Sequence, residues 1–156
     1  MEEILNPNGQ IGFKLEWDDG RVEFREVNNR ILRSGRQNLV KALANDFGSS
    51  FDYFISGMSF GDGGTTGGAP RYVDDTRTGL FGTTLATKGV ITSINADLPT
   101  QVTFTSVLAF DDLVGSSFNE MALRMRNGDY FSMATFGDIA KTSSMQLTLN
   151  WRISMV

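Results

Sequence analysis

The chain predicts an all-β fold: a mainly antiparallel β-sandwich, jelly-roll-like, with one short α-helix. Two observations carry this. Apolar residues recur at every second position over long runs, the period of a strand with one buried face. Turn pairs separate these runs, and only one segment shows a helical period instead. Seven or eight strands and a single helix point to two packed sheets.

Taken in order, Ile11, Phe13, Leu15 and Trp17 alternate with Gly12, Lys14 and Glu16. Asp18-Asp19-Gly20 leads into Val22 and Phe24, which alternate with Arg21, Glu23 and Arg25. An Asp-Gly pair between two such runs predicts a hairpin with both central residues at positive φ. The helix follows, with Ser34 as its N-terminal cap and Leu39, Val40, Leu43, Ala44 and Phe47 on one face. Gly48 stands where a left-handed residue would end it. Arg30, Arg33, Arg36 and Lys41 make this the one basic neighbourhood, read as a solvated face balanced by Glu23 and Glu26.

Tyr53 to Phe60 reads as a strand, with Gly57 at a bulge or close backbone contact. Residues 61–87 then read as a long Gly-rich loop. It lacks the Gly-Lys-Ser/Thr ending of a phosphate-binding loop, and Pro70 and the Asp-rich stretch after it offer no period for the helix a dinucleotide fingerprint needs. Asp62, Asp74 and Asp75 have no recognised calcium spacing. Val90 to Asn95 forms a short strand, and Val102, Phe104, Ser106, Leu108 and Phe110 mark a long one. Met121, Leu123 and Met125 alternate up to Asn127-Gly128, a second hairpin turn into Tyr130 to Phe136. The last strand is the most regular: Met145, Leu147, Leu149, Trp151, Ile153 and Met155 on one face, Gln146, Thr148, Asn150, Arg152 and Ser154 on the other. The chain is thus expected to form one domain over residues 1–156, with residues 1–10 as an N-terminal arm.

Composition narrows the chemistry. The chain has 156 residues, 40% of them apolar and 12 of them Phe, enough for a core without cysteine bridges. A net charge of -4 offers no general attraction to nucleic acid or anionic membrane. The N-terminus is acidic where a secretion signal is basic, so synthesis in the cytoplasm is expected. Without His or Cys, the commonest general base, zinc ligands and thiol nucleophile are missing. The pairs Asp18-Asp19, Asp74-Asp75 and Asp111-Asp112 could serve carboxylate catalysis, but each lies among turn formers, where Asp bonds local backbone. The expectation is a protein that is no enzyme, with no catalytic, cofactor-binding or metal-binding residue.

Three segments carry a resemblance. Ser34-Gly35-Arg36-Gln37-Asn38-Leu39 opens a helix ahead of Met58-Ser59-Phe60-Gly61-Asp62-Gly63-Gly64. Phe118-Asn119-Glu120-Met121-Ala122-Leu123 comes next, and Leu147-Thr148-Leu149-Asn150-Trp151-Arg152-Ile153 closes the chain. In content and order they resemble small bacteriophage virion structural proteins of the capsid-decoration, tail-collar and fibre-attachment type. The first hairpin, residues 11–27, has no counterpart in that pattern. The resemblance implies a non-catalytic virion subunit that assembles in the host cytoplasm and binds the major capsid protein or tail and collar proteins. It also implies a homo-oligomer. The missing heptads and fibre repeats favour a capsid decoration (cement) protein. A tail, collar or baseplate adaptor is the alternative, and a carbohydrate-binding β-sandwich a more distant one. Tyr72, Leu80 and Phe81 are the expected protein-interface residues, because they are apolar groups in a polar, Gly-rich stretch with no evident intramolecular partner.

Overall fold

A computed structural model describes residues 7–44 and 53–155. It is the expected antiparallel β-sandwich. The elements in chain order are β1 (Pro7–Trp17), β2 (Val22–Asn28), β3 (Arg30–Ile31), α1 (Arg33–Leu43), β4 (Ile55–Gly61), β5 (Thr65–Thr66) and β6 (Ala69–Pro70). After these come β7 (Thr84–Gly89), β8 (Ile91–Ile94), β9 (Gln101–Leu108), β10 (Ser117–Met125), β11 (Tyr130–Ala140) and β12 (Met145–Met155). The first sheet runs β2-β1-β12-β9-β8 and the second β3-β11-β10-β4-β7, with β5-β6 a separate small hairpin.

The one-sided strands bury the residues their alternation predicts. Ile11, Phe13 and Leu15 of β1 and Leu147, Leu149, Trp151 and Ile153 of β12 face inward from the first sheet. They meet Met58 and Phe60 of β4, Met121 and Leu123 of β10 and Phe136 of β11 from the second. Phe13 packs edge-on against Phe136 across the two sheets, with ring centroids 5.0 Å apart, and Phe136 packs likewise on Phe118 at 5.8 Å. Each large side chain buried in this way stabilises the fold by roughly 1.5–3 kcal/mol. Trp17 is half-buried at the rim, with the Arg21 guanidinium 4.6 Å above its ring.

Both predicted hairpins form, with a different turn. Only Gly20 and Gly128 take positive φ, at 91° and 96°, while Asp19 and Asn127 do not. Trp17 N–H donates to Arg21 O and Gly20 N–H to Trp17 O, and Met125, Gly128 and Asp129 repeat the pattern. The side chains of Asp19 and Asn127 each accept the N–H two residues on, which holds the first turn position in its ordinary conformation. The doubly left-handed turn belongs instead to Gly67 and Gly68, φ 59° and 82°, between β5 and β6.

Four further expectations need correction. The N-terminal arm 1–10 is strand from Pro7 on, because Pro7 to Gln10 pair with Met155 to Arg152 of β12. The 61–87 loop contains the β5-β6 hairpin, and β7 begins at Thr84, paired with Gly61 of β4. Ser34 does not cap α1: the cap position is Leu32, and the Ser34 hydroxyl donates to Tyr130 O. Nor is the apolar face the docked one. Leu39 packs on the core, but Val40 and Leu43 are exposed, while Gly35 and Asn38 are buried. A Cβ at Gly35 would lie 2.4 Å from Phe131 O, so only glycine admits this close approach of helix to β11. Phe47 and Gly48 lie outside the described residues.

Candidate functional site

The outer face of the second sheet is covered by residues 62–83, which make a third layer. β10 shows why. It is buried on both faces, unlike the one-sided strands of the first sheet. Phe118 faces the core, as do Met121 and Leu123, although 118 and 121 are an odd number of positions apart. The pairing with β11 slips between Phe118 and Glu120, a β-bulge that restores the phase. Its consequence is that Asn119 and Glu120, adjacent in sequence, both send their side chains into the covering segment.

Glu120 is fully buried. Its Oε1 accepts the N–H groups of Gly63 at 3.0 Å and Gly82 at 2.8 Å, and its Oε2 accepts Phe81 N–H at 2.8 Å. Asn119 Oδ1 accepts Gly64 N–H at 2.7 Å, and its Nδ2 donates to Asp138 and to the Thr65 hydroxyl. Two neighbouring side chains thus fasten both limbs of the segment, near residue 63 and near residue 82. The glycines follow from this proximity. A Cβ at Gly63 would lie 2.3 Å from Gly82 N, and one at Gly64 2.2 Å from Asn119 O. The limbs touch through backbone, and the composition that reads as flexibility serves close packing.

Between the limbs the segment builds a small apolar cluster on the sheet. Val73, Ala122, Met133 and Leu32 are buried, with Leu80, Phe81 and Tyr130 packed against them. Arg77 folds back to donate to Gly79 O at 3.1 Å and Leu80 O at 3.0 Å. Its guanidinium lies 3.6 Å from the Phe81 ring centroid, with Arg71 at 5.2 Å from the same ring. The three expected interface residues therefore divide. Leu80 and Phe81 do have intramolecular partners and lie half-buried. Tyr72 is 70% exposed, but Arg30 lies 5.2 Å from its ring centroid and donates to its hydroxyl at 2.6 Å. The expectation that these residues lack partners within the chain fails because the bulge supplies the anchor the apolar residues could not.

The basic neighbourhood sits beside this layer. Its balancing acids are Asp74 and Asp75 of the segment, in place of Glu23 and Glu26. Arg36 pairs with Asp75 at 3.2 Å, and Arg33 N–H donates to Asp75 O at 2.7 Å. Hydrogen bonds from the Thr76 hydroxyl and N–H hold the Asp74 carboxyl below its ordinary pKa, with smaller help from Arg30 and Arg33. The segment thus carries two aromatic–arginine groups, Tyr72 with Arg30 and Phe81 with Arg71 and Arg77, types that dominate binding energy where proteins meet.

The acidic pairs behave as turn residues. Asp19 accepts Arg21 N–H, Asp74 accepts Thr76 N–H and Asp112 accepts Ala109 N–H. Asp112 also pairs with Lys88 at 2.9 Å, and that bond is the main cause of its lowered pKa. At the same end of the sandwich Lys141 is buried, its ammonium donating to Phe110 O and Thr142 O. Burial lowers its pKa. Among the described residues no group of three or more acidic side chains could hold a metal ion.

Asn119 and Glu120 escape a reading based on turn chemistry and apolar period, although a signal exists. Glu120 sits two residues after Phe118, where strict alternation calls for an inward apolar side chain, and the inward apolar positions resume one residue late, at Met121. Compared with known proteins, the chain matches no family model, no curated protein and no solved structure.

Proposed function

We propose that this chain is a bacteriophage virion structural protein, a capsid decoration (cement) protein that binds the shell through the surface around Tyr72. The observation that carries the binding role is the Gly-rich segment fastened by Asn119 and Glu120. A surface already held in shape loses little conformational entropy when it docks, so more of its contact energy becomes affinity. Arg30 on Tyr72, with Arg71 and Arg77 on Phe81 of the same segment, suits an acidic, hydrogen-bonding patch on a neighbouring capsid protein. The virion assignment itself rests on the resemblance of the three sequence segments, and the segments that carry it include Asn119, Glu120 and Gly61 to Gly64.

Quantitative mass spectrometry of purified virions tests the assignment. A copy number in the hundreds is expected for a shell protein. Low multiples of three, six or twelve would place it in tail or collar, and absence from the particle would overturn the proposal. Tyr72→Ala, at an exposed position, tests the surface. Loss of a hot-spot side chain costs at least about 2 kcal/mol, which weakens docking roughly thirtyfold. Undiminished incorporation of that variant would assign the contact to another face.

A further inference from the structure

We propose that β2 is a self-complementary edge through which two copies of this chain join their first sheets about a two-fold axis. The inference is independent of the virion assignment. Among the described residues β2 pairs with β1 alone, and every residue of it except Val27 is exposed. Glu23 and Arg25 lie on its core-side face, as their pairing with Leu15 and Phe13 shows, yet both are open to solvent. Their side chains are 46% and 42% exposed, so the described part of the second sheet does not cover this stretch of the strand.

The direction of its free hydrogen-bonding groups follows from the ladder. Trp17 N–H donates to Arg21 O at one end and Asn29 N–H to Gly9 O at the other. Bonded and non-bonded pairs alternate in an antiparallel ladder, so odd-numbered residues of β2 turn their N–H and C=O toward β1. Val22, Phe24 and Glu26 point theirs at the open edge. An antiparallel partner strand must set these even-numbered residues opposite one another.

For a second copy only a few registers do so, and charge selects among them. Phe24 opposite Val22 sets Glu23 against Glu23. Phe24 opposite Glu26 sets Arg25 against Arg25. Phe24 opposite Phe24 sets Glu23 against Arg25, twice, in the non-bonded positions where side chains approach most closely. In that register Val22–Glu26, Phe24–Phe24 and Glu26–Val22 each exchange both main-chain bonds. The Arg25–Glu23 ion pair, 2.7 Å within one strand, trades its partner for the equivalent one across the axis. Phe24, 73% exposed in one copy, stacks on its own symmetry mate. The contact is isologous and closes at two copies, which caps an edge that otherwise invites open-ended strand addition.

Sedimentation equilibrium on the full chain, from low micromolar to millimolar concentration, tests this. A reversible dimer is expected. Phe24→Lys sets two ammonium groups at the axis and should leave monomer. Glu23→Arg alone and Arg25→Glu alone each set like charges opposite at both positions and should weaken association about tenfold. The double variant exchanges the two charges, restores both pairs and should dimerise nearly as the parent does. All three substitutions are at exposed positions, and circular dichroism confirms that each of the four variants is folded. A monomer across the whole range, single variants that associate like the parent, or a double variant as weak as the singles would overturn the proposal.

Discussion

Glu120→Gln isolates what the buried carboxylate does. The substitution keeps shape and length and changes one oxygen into an NH2 group. In the better of its two orientations the remaining oxygen stays at Oε1 and keeps Gly63 and Gly82. The new NH2 then faces Phe81 N–H, which sat 2.8 Å from Oε2. Two donors oppose each other in a site without solvent access, and each stranded donor costs roughly 1–3 kcal/mol. The total, about 2–6 kcal/mol, is a large part of the roughly 5–15 kcal/mol margin of an ordinary domain. Glu120→Asp keeps both oxygens but withdraws them by about 1.5 Å, one bond length, and should cost a similar amount. Urea denaturation reads a global loss. Native-state hydrogen exchange at Gly63, Phe81 and Gly82 reads a local opening of the segment. A Glu120→Gln protein with an unchanged midpoint and unchanged protection at those three amides would refute the reasoning.

Three other outcomes are expected. Trp151→Ala should lower stability by about 3–5 kcal/mol, since the ring is fully buried between Leu149 and Ile153, whereas Arg152→Ala on the exposed face should cost under about 1 kcal/mol; urea midpoints compare the two. Gly64→Ala should destabilise by about 1–3 kcal/mol because its methyl would overlap Asn119 O, while Gly79→Ala, with open space around it, should change thermal stability little. Asp112 has a folded pKa below its ordinary 3.8, chiefly through the Lys88 hydrogen bond. Its contribution is therefore fully present above pH ~4 and lost as pH falls through the folded value; Asp112→Asn should flatten the acid limb of the stability profile below that pH, read by denaturation at a series of pH values.

The parts of the fold that were legible are those where burial is one-sided. β1 and β12 each show the core one face and solvent the other, so their alternation in sequence is their alternation in space. β10 hides both faces, and its pattern blurs for that reason. β7 is an edge strand of small and polar residues, Thr84 to Gly89, with too little apolar side chain to stand out from the loop before it. The helix misleads for a related cause. Its dock is a glycine contact and the buried amide of Asn38, which donates to Asp129 at 3.0 Å, and neither registers as an apolar stripe. The site fails most instructively. Glycine-rich sequence implies entropy to be lost on ordering, and that inference holds for the chain alone. What offsets it is a distant carboxylate, 57 residues from Gly63, whose role appears only once the bulge has turned it outward.

The pairing of β1 with β12 has a consequence for how the molecule comes into being. Their register runs from Pro7 with Met155 to Trp17 with Met145, so the centre of the first sheet joins the two ends of the described chain. Hairpin formation with β2 satisfies one side of β1 at once. Its other side waits until residues 145–155 have been synthesised, which at roughly 5–20 residues per second takes about 7–30 s. During that interval Ile11, Phe13 and Leu15 have no finished core to enter, and the inner edge of β1 is free to pair with a neighbouring nascent chain. Contacts this distant in sequence are closed late and slowly. Removal of the last strand by an early stop would therefore leave β1 with β2 as its one partner and split the first sheet between β1 and β9, a product destined for aggregation and not a shortened version of the same fold.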